Sequence, residues 1–336
     1  MLRRASKKTL LSRRDHALFG LHRIVLCAVA VFLTTLFCRP AWSQAPIKIV
    51  MPAPAGGAGD VVARMLTEQV SQAQGRAMVI ENRAGAGTII GTEAVARAAP
   101  DGNTLLITAP YLVIAPHLRK LNFDPLTSFE PICHLVSSPG VIVVNSASPY
   151  RTLADFVAAV RAKPGELTFA AVGPGTVQHV GFEMLKRAAN VNLTFVPYTG
   201  GAPAITALLG AHVTAVFAEY APLAEHLKSG RLRAIATTTR TRIGSLPDVP
   251  TIAETYKDYE VDFWWGLFAP AKTPTEKVSQ FAQWFKAAMQ ASEVKPKLAA
   301  QGFLPVGTCG ADFGALLRKE YDHYGGIIRA TNMKAE

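Results

Sequence analysis

Apolar positions along this chain come in short bursts whose spacing alternates between a period of two and one near 3.6, which predicts strands alternating with helices. Ile47 to Met51 predicts a buried strand, then a turn of Pro, Ala and Gly, then an amphipathic helix opening near Asp60. Val61, Val62, Met65, Leu66 and Val70 give that helix one apolar face, ending near Gly75. A strand over Ala77–Ile80, a helix over Ile90–Ala98, the turn Pro100-Asp101-Gly102 and a strand over Thr104–Thr108 complete a βαβαβ run. That order predicts a parallel sheet with right-handed crossovers.

A second run of the same kind follows. Val141–Val144 predicts a strand, and Thr152 with Asp155 a capping box opening a helix over Leu153–Ala162. Strands over Leu167–Ala171, Leu193–Val196, Val213–Phe217 and Leu232–Thr237 alternate with helices after Val177 and over Ala202–Leu209. Val261–Phe268 reads as a strand returning to the first half, with Val141–Val144 as the outgoing crossing. The remainder is expected to be helical, with Pro274 in a first turn and a last helix over about Ala311–Ile328. The reading is α/β with two domains, residues 46–144 plus 263–336 and residues 145–262, around a cleft. Two crossing segments form a hinge, and domain closure is the expected motion.

Three βα turns share one chemistry of glycine, small side chains, a hydroxyl or two and a helix amino terminus, a combination suited to an anion. The first offers Ala53, Ala55, Gly56 and Gly57; the second Val172, Gly173, Gly175, Thr176 and His179; the third Tyr198, Thr199, Gly200 and Ala202. Thr108 and Glu219, at strand ends, complete the candidate ligand-binding set. His179 either faces the cleft or ties its turn down. Asp60 reads as a helix cap. Trp264 and Trp265 alternate faces, so at most one lines the cleft. Glu219 either pairs a cationic group on the ligand, such as an ammonium, or is a solvated loop acid.

Charge changes the picture only at the amino terminus. Of the formal net charge of +11, residues 1–45 supply +7, leaving +4 on the rest, too little to argue for a nucleic-acid partner. Basic residues before the apolar run Ile24–Phe37, which is short for a bilayer, and small residues at Ser43-Gln44-Ala45 read as an export signal removed near Ala45. Ser12-Arg13-Arg14 hints at a twin-arginine route. A periplasmic or secreted protein is expected. Cys133 and Cys309 alone remain after such a cut; an oxidising compartment would let them pair, but their spacing does not decide it. No metal-ligand spacing, dinucleotide fingerprint, P-loop or nucleophile elbow occurs, so no cofactor, no metal and no enzyme are expected.

Taken in order, these segments resemble the Bug family of periplasmic solute-binding receptors, the TctC-like component of tripartite tricarboxylate transporters. The resemblance rests on Pro52 to Asp60, Glu81 to Gly91, Ala99 to Gly102, Gly173 to His179, Val196 to Ala204, Leu246 to Thr251 and Trp264 to Pro274. It implies a two-domain Venus flytrap, a small carboxylate ligand and membrane permease subunits as partners; the receptor itself is expected to be a monomer. It also implies that backbone groups and hydroxyls hold the carboxylate where other proteins use arginine. The chain departs from the family at Phe217-Ala218-Glu219, where many relatives carry an aspartate, at Val177 and at Ala55. A sensor accessory on the same scaffold and an exported α/β enzyme are the competing classes.

Overall fold

The computed structural model describes residues 45–257 and 259–334, so the expected export signal lies outside the described residues except for its last position. Strand β1 (Ile47–Met51) buries Ile47, Ile49 and Met51 in one apolar cluster and Val50 in another, as a strand covered on both faces must. It leads into α1 (Ala58–Gln74), which Gly75 ends in a left-handed conformation, φ 62°. β2 (Met78–Asn82), α2 (Ile89–Ala96), β3 (Thr104–Thr108) and the one-turn α3 (Tyr111–Ile114) follow.

The chain continues through β4 (Phe129–Ser138), β5 (Gly140–Asn145), α4 (Leu153–Ala162), β6 (Thr168–Val172) and α5 (Val177–Ala189). The capping box of α4 forms as expected between Thr152 and Asp155. Next come β7 (Thr194–Tyr198), α6 (Gly201–Leu209), β8 (Ala215–Glu219), α7 (Ala224–Lys228) and β9 (Leu232–Thr237). β10 (Phe263–Pro270), α8 (Thr275–Gln290), α9 (Lys295–Ala300), β11 (Leu304–Cys309) and α10 (Ala311–Thr331) close the chain.

Two mixed sheets result, a six-stranded one in the order β11-β4-β10-β3-β1-β2 and a five-stranded one in the order β7-β6-β8-β5-β9. In the first, β1 pairs in parallel with β2 and β3, while β10 runs antiparallel between β3 and β4. In the second, β6 pairs in parallel with β7 and β8, and β5 antiparallel to β8 and β9. The outgoing crossing therefore needs correction: Val141–Val144 lies inside β5 of the second sheet, and the chain changes sheets at Pro139.

Two strands of the first sheet break the sequence pattern. β4 carries Pro131 and His134 in its apolar run, and β11, which carries Pro305, is an edge strand, where a missing N–H is tolerated. The C-terminal part is thus not wholly helical. Cys133 and Cys309 face each other as register partners across β4 and β11 and form a disulfide. One apolar cluster continues from the first sheet, through Leu106, Trp264 and Phe268, to Ile142, Phe169 and Phe217 of the second, with α10 contributing Phe313 and Ile328.

Candidate functional site

The amino ends of four helices meet at one cavity of about 620 Å³. Gly57 to Asp60 at the start of α1 and Thr88 ahead of α2 come from the side of the first sheet. Thr176 and Gln178 at α5, and Gly200 to Ala202 at α6, come from the second. The first turns of α2, α5 and α6 carry no acidic residue, and no side chain caps α1, α2 or α6. Their partial positive charges and amino-terminal N–H groups favour an anion.

Glycine is required at particular points of this wall. A Cβ at Gly59 would lie 2.6 Å from Cε3 of the Trp265 indole, so helix and ring pack only because none is there. The segment before α2 runs through four successive residues of positive φ, Gly85, Ala86, Gly87 and Thr88. Ala86 (φ 48°) and Thr88 (φ 80°) lack glycine's freedom, so this stretch holds local strain at the cavity rim.

Of the residues expected to bind ligand, Ala53, Ala55, Gly56, Gly57, Val172, Gly175, Thr176, Thr199, Gly200, Ala202 and Glu219 line this cavity. Thr108, Gly173, His179 and Tyr198 do not. Thr108 is buried at the end of β3, and Gly173 N–H donates to the Tyr198 carbonyl at 3.0 Å, which ties the second and third turns together. His179 stacks on Phe195 with ring centroids 4.4 Å apart, and its Nδ1 accepts the Gly175 N–H at 3.4 Å. Both contacts help to hold the second turn.

Three expected donors are engaged within the protein. Gly56 N–H donates to Asp60 Oδ2 at 2.9 Å, and Gly175 N–H to His179. Thr176 is the N-cap of α5: its oxygen accepts the His179 N–H at 3.2 Å, and its proton faces the Val172 and Gly173 carbonyls, each at 2.9 Å. Asp60 is not the N-cap of α1, which is Gly57; it sits in the first turn. There its carboxylate also accepts from Arg64 at 2.8 and 3.0 Å and from Asn82 at 3.0 Å. Burial pushes its pKa up, but bonds from Arg64, Gly56 and Asn82 outweigh this and hold it below the usual carboxylate range.

The remaining wall was not legible from sequence. Tyr111, Leu118, Arg119, Gln178 and Pro222 line the cavity, and of the two tryptophans Trp265 does so while Trp264 packs in the core. Buried polar atoms without a partner gather here: Glu219 Oε2, Gln178 Oε1 and Trp265 Nε1, with Thr108 Oγ1 nearby in sequence to Tyr111. Burial raises Glu219 to about 7, against the Ser138 hydroxyl and Trp265 indole, which favour the anion; the Asp262 charge raises it further. Burial, and then the Glu219 charge, push the Tyr111 hydroxyl well up, so it is neutral. Among the described residues no group of three His, Cys, Asp or Glu could hold a metal.

The profile of the tripartite tricarboxylate transporter family receptor (TctC) matches residues 62–333. The chain belongs to that family. Protein BugT of Bordetella pertussis is 30% identical to this receptor over 319 residues, which cover 92% of this chain and 98% of BugT. The solved periplasmic binding protein BugD is 31% identical, with a TM-score of 0.79, over 87% of this chain and 99% of its own. Rpa4515 of R. palustris, solved with adipate, is 28% identical, with a TM-score of 0.81, over 87% and 99%. The fold is accordingly the two-domain Venus flytrap of periplasmic binding proteins, and the family is one of solute-binding receptors.

Proposed function

We propose that this receptor is exported, binds a small carboxylate between its two domains and delivers it to the membrane subunits of a tripartite tricarboxylate-type transporter. The observation that carries the reading is the convergence of four helix amino termini from both sheets on one cavity. A carboxylate there accepts backbone N–H groups and lies at the positive ends of the helix dipoles. The adipate of the R. palustris relative supports a carboxylate as the ligand class. A volume of about 620 Å³ suits a molecule of small-metabolite size.

A thermal-shift screen of mono-, di- and tricarboxylates and amino acids tests this. A ligand at a hundredfold excess over its Kd stabilises the native state by about 2.7 kcal/mol. A clear rise in Tm with at least one carboxylate is expected, and no response to any of them overturns the reading. Intact mass of the protein from the periplasmic fraction tests export; loss of residues 1–45 is expected, and the full-length mass overturns it.

A further inference from the structure

The cavity wall carries three charged side chains, and only one of them is neutralised within the protein. Asp60 is paired with Arg64 and hydrogen-bonded by Asn82 and the Gly56 N–H. Arg119 makes no side-chain hydrogen bond or ion pair among the described residues, although its guanidinium lies close to the second turn, 3.9 Å from where a Cβ on Gly175 would be. Glu219 at the end of β8 is opposite in sign and has no cationic partner among the described residues; the Ser138 hydroxyl and Trp265 indole favour its anion, but its Oε2 is buried with no hydrogen-bond partner. Gln178 Oε1, a second acceptor on the same cavity wall, is buried and unpartnered too.

A buried acceptor without a donor is costly, and a buried carboxylate more so, unless something supplies the missing partner. A simple dicarboxylate satisfies Arg119 and the helix termini but brings a second negative charge into a pocket that already holds Glu219. A ligand with one carboxylate and one protonated amine satisfies both ends. Its anion meets Arg119 and the amino termini of α5 and α6, while its N–H donors meet Glu219 Oε2 and Gln178 Oε1.

Building on the carboxylate reading above, we propose that the preferred ligand is a zwitterion, a small amino carboxylate whose ammonium group is held by Glu219 and Gln178. The chemistry recognised is the pair of opposite charges, and Glu219 is the residue that selects against a second carboxylate.

Calorimetry on the wild-type receptor tests this with three ligand series of matched carbon number: unsubstituted monocarboxylates, α,ω-dicarboxylates, and α- and ω-amino carboxylates. At least one amino carboxylate is expected to bind tenfold or more tightly than the dicarboxylate and monocarboxylate of equal length. Glu219→Gln is expected to erase that preference while retaining binding of the monocarboxylate, and Arg119→Gln to weaken all three series. A dicarboxylate that binds as tightly as, or more tightly than, its amino counterpart overturns the zwitterion but leaves the carboxylate reading standing. Failure of all three series to bind overturns both. The wild-type comparison decides the matter even where a variant does not fold.

Discussion

Trp264 donates its indole N–H to Glu320 Oε2 over 2.7 Å, joining β10 to α10 beside the point where the chain returns to the first sheet. Burial lifts Glu320 to about 8, against the Trp264 bond, and the Asp262 charge adds to the lift. Asp262, with Ser137 Oγ 2.7 and 2.6 Å from its two oxygens, is itself lifted to about 6, first by burial and then by Glu260. Both acids hold protons in the folded chain that the unfolded chain has already released. Their contribution is complete below the unfolded carboxylate range, and is lost as pH rises through about 6 for Asp262 and about 8 for Glu320. Denaturant titrations should show stability falling from about pH 5 to pH 8. Glu320→Gln should flatten the upper part of that slope.

Asp60 acts in the opposite direction, because its pKa is held low: its contribution is present above the ordinary aspartate value and fades as pH falls below it. Removing it as Asp60→Ala strands the Gly56 N–H, Asn82 and the Arg64 guanidinium together. A loss of about 1–3 kcal/mol is expected. Because the Gly56 turn is held by this carboxylate, affinity for the best ligand of the thermal-shift screen should fall as well. Urea unfolding and calorimetry measure the two effects separately.

The strained rim before α2 makes a prediction of the other sign. Thr88 is β-branched and sits at φ 80°, a conformation that costs about 1–2 kcal/mol for a residue with a Cβ. Thr88→Gly relieves that strain and returns part of the gain as unfolded-state entropy, so stability should stay level or rise by about 0.5–1 kcal/mol. Gly87→Ala, placed at φ 63°, should lower it by a similar amount. Urea midpoints for both variants check the pair, and a matching loss in Thr88→Gly would show that the rim is unstrained.

Where glycine and proline punctuate the chain, the pattern reads directly: β1, β3, α4 and β9 run over the residues that periodicity predicts. The anion-binding turns were legible for the same reason, since glycine next to a helix start is a local signal. Arg119 was not, because nothing in its own segment marks it; only the fold brings it beside Gly175. Nor was the use of the Gly56 and Gly175 N–H groups, each taken by a side chain four residues on. β4 was hidden by Pro131 and His134, whose place in a sheet depends on the neighbours β10 and β11. Local periodicity carries the elements; pairing and charge neutralisation belong to the tertiary structure.

The chain passes between sheets at Pro139 and again at Val261–Asp262, and Thr238 fastens these crossings together. Its N–H donates to Gly140 O at 3.0 Å, its hydroxyl to Val261 O at 2.7 Å, and its own carbonyl accepts the Val261 N–H at 3.0 Å. A Cβ on Gly140 would come within 2.5 Å of both Phe217 and the Thr238 hydroxyl, so the crossing is packed to its limit. Rotation about such a fastening is expected to leave its bonds intact while the rims of the cavity move. Farther out, Arg187 of α5 donates to Ala330 O of α10 at 3.1 Å, an exposed bond at the edge of the packing between these two helices. A ligand that touches turns from both domains binds the closer arrangement better, and shifts the equilibrium by that difference in affinity. Small-angle scattering should therefore give a smaller radius of gyration at saturating ligand than without it. Arg187→Ala should leave both values unchanged, whereas Thr238→Val should broaden the distribution without ligand. Identical scattering with and without a ligand shown by calorimetry to bind would mean that the two domains do not move about this fastening.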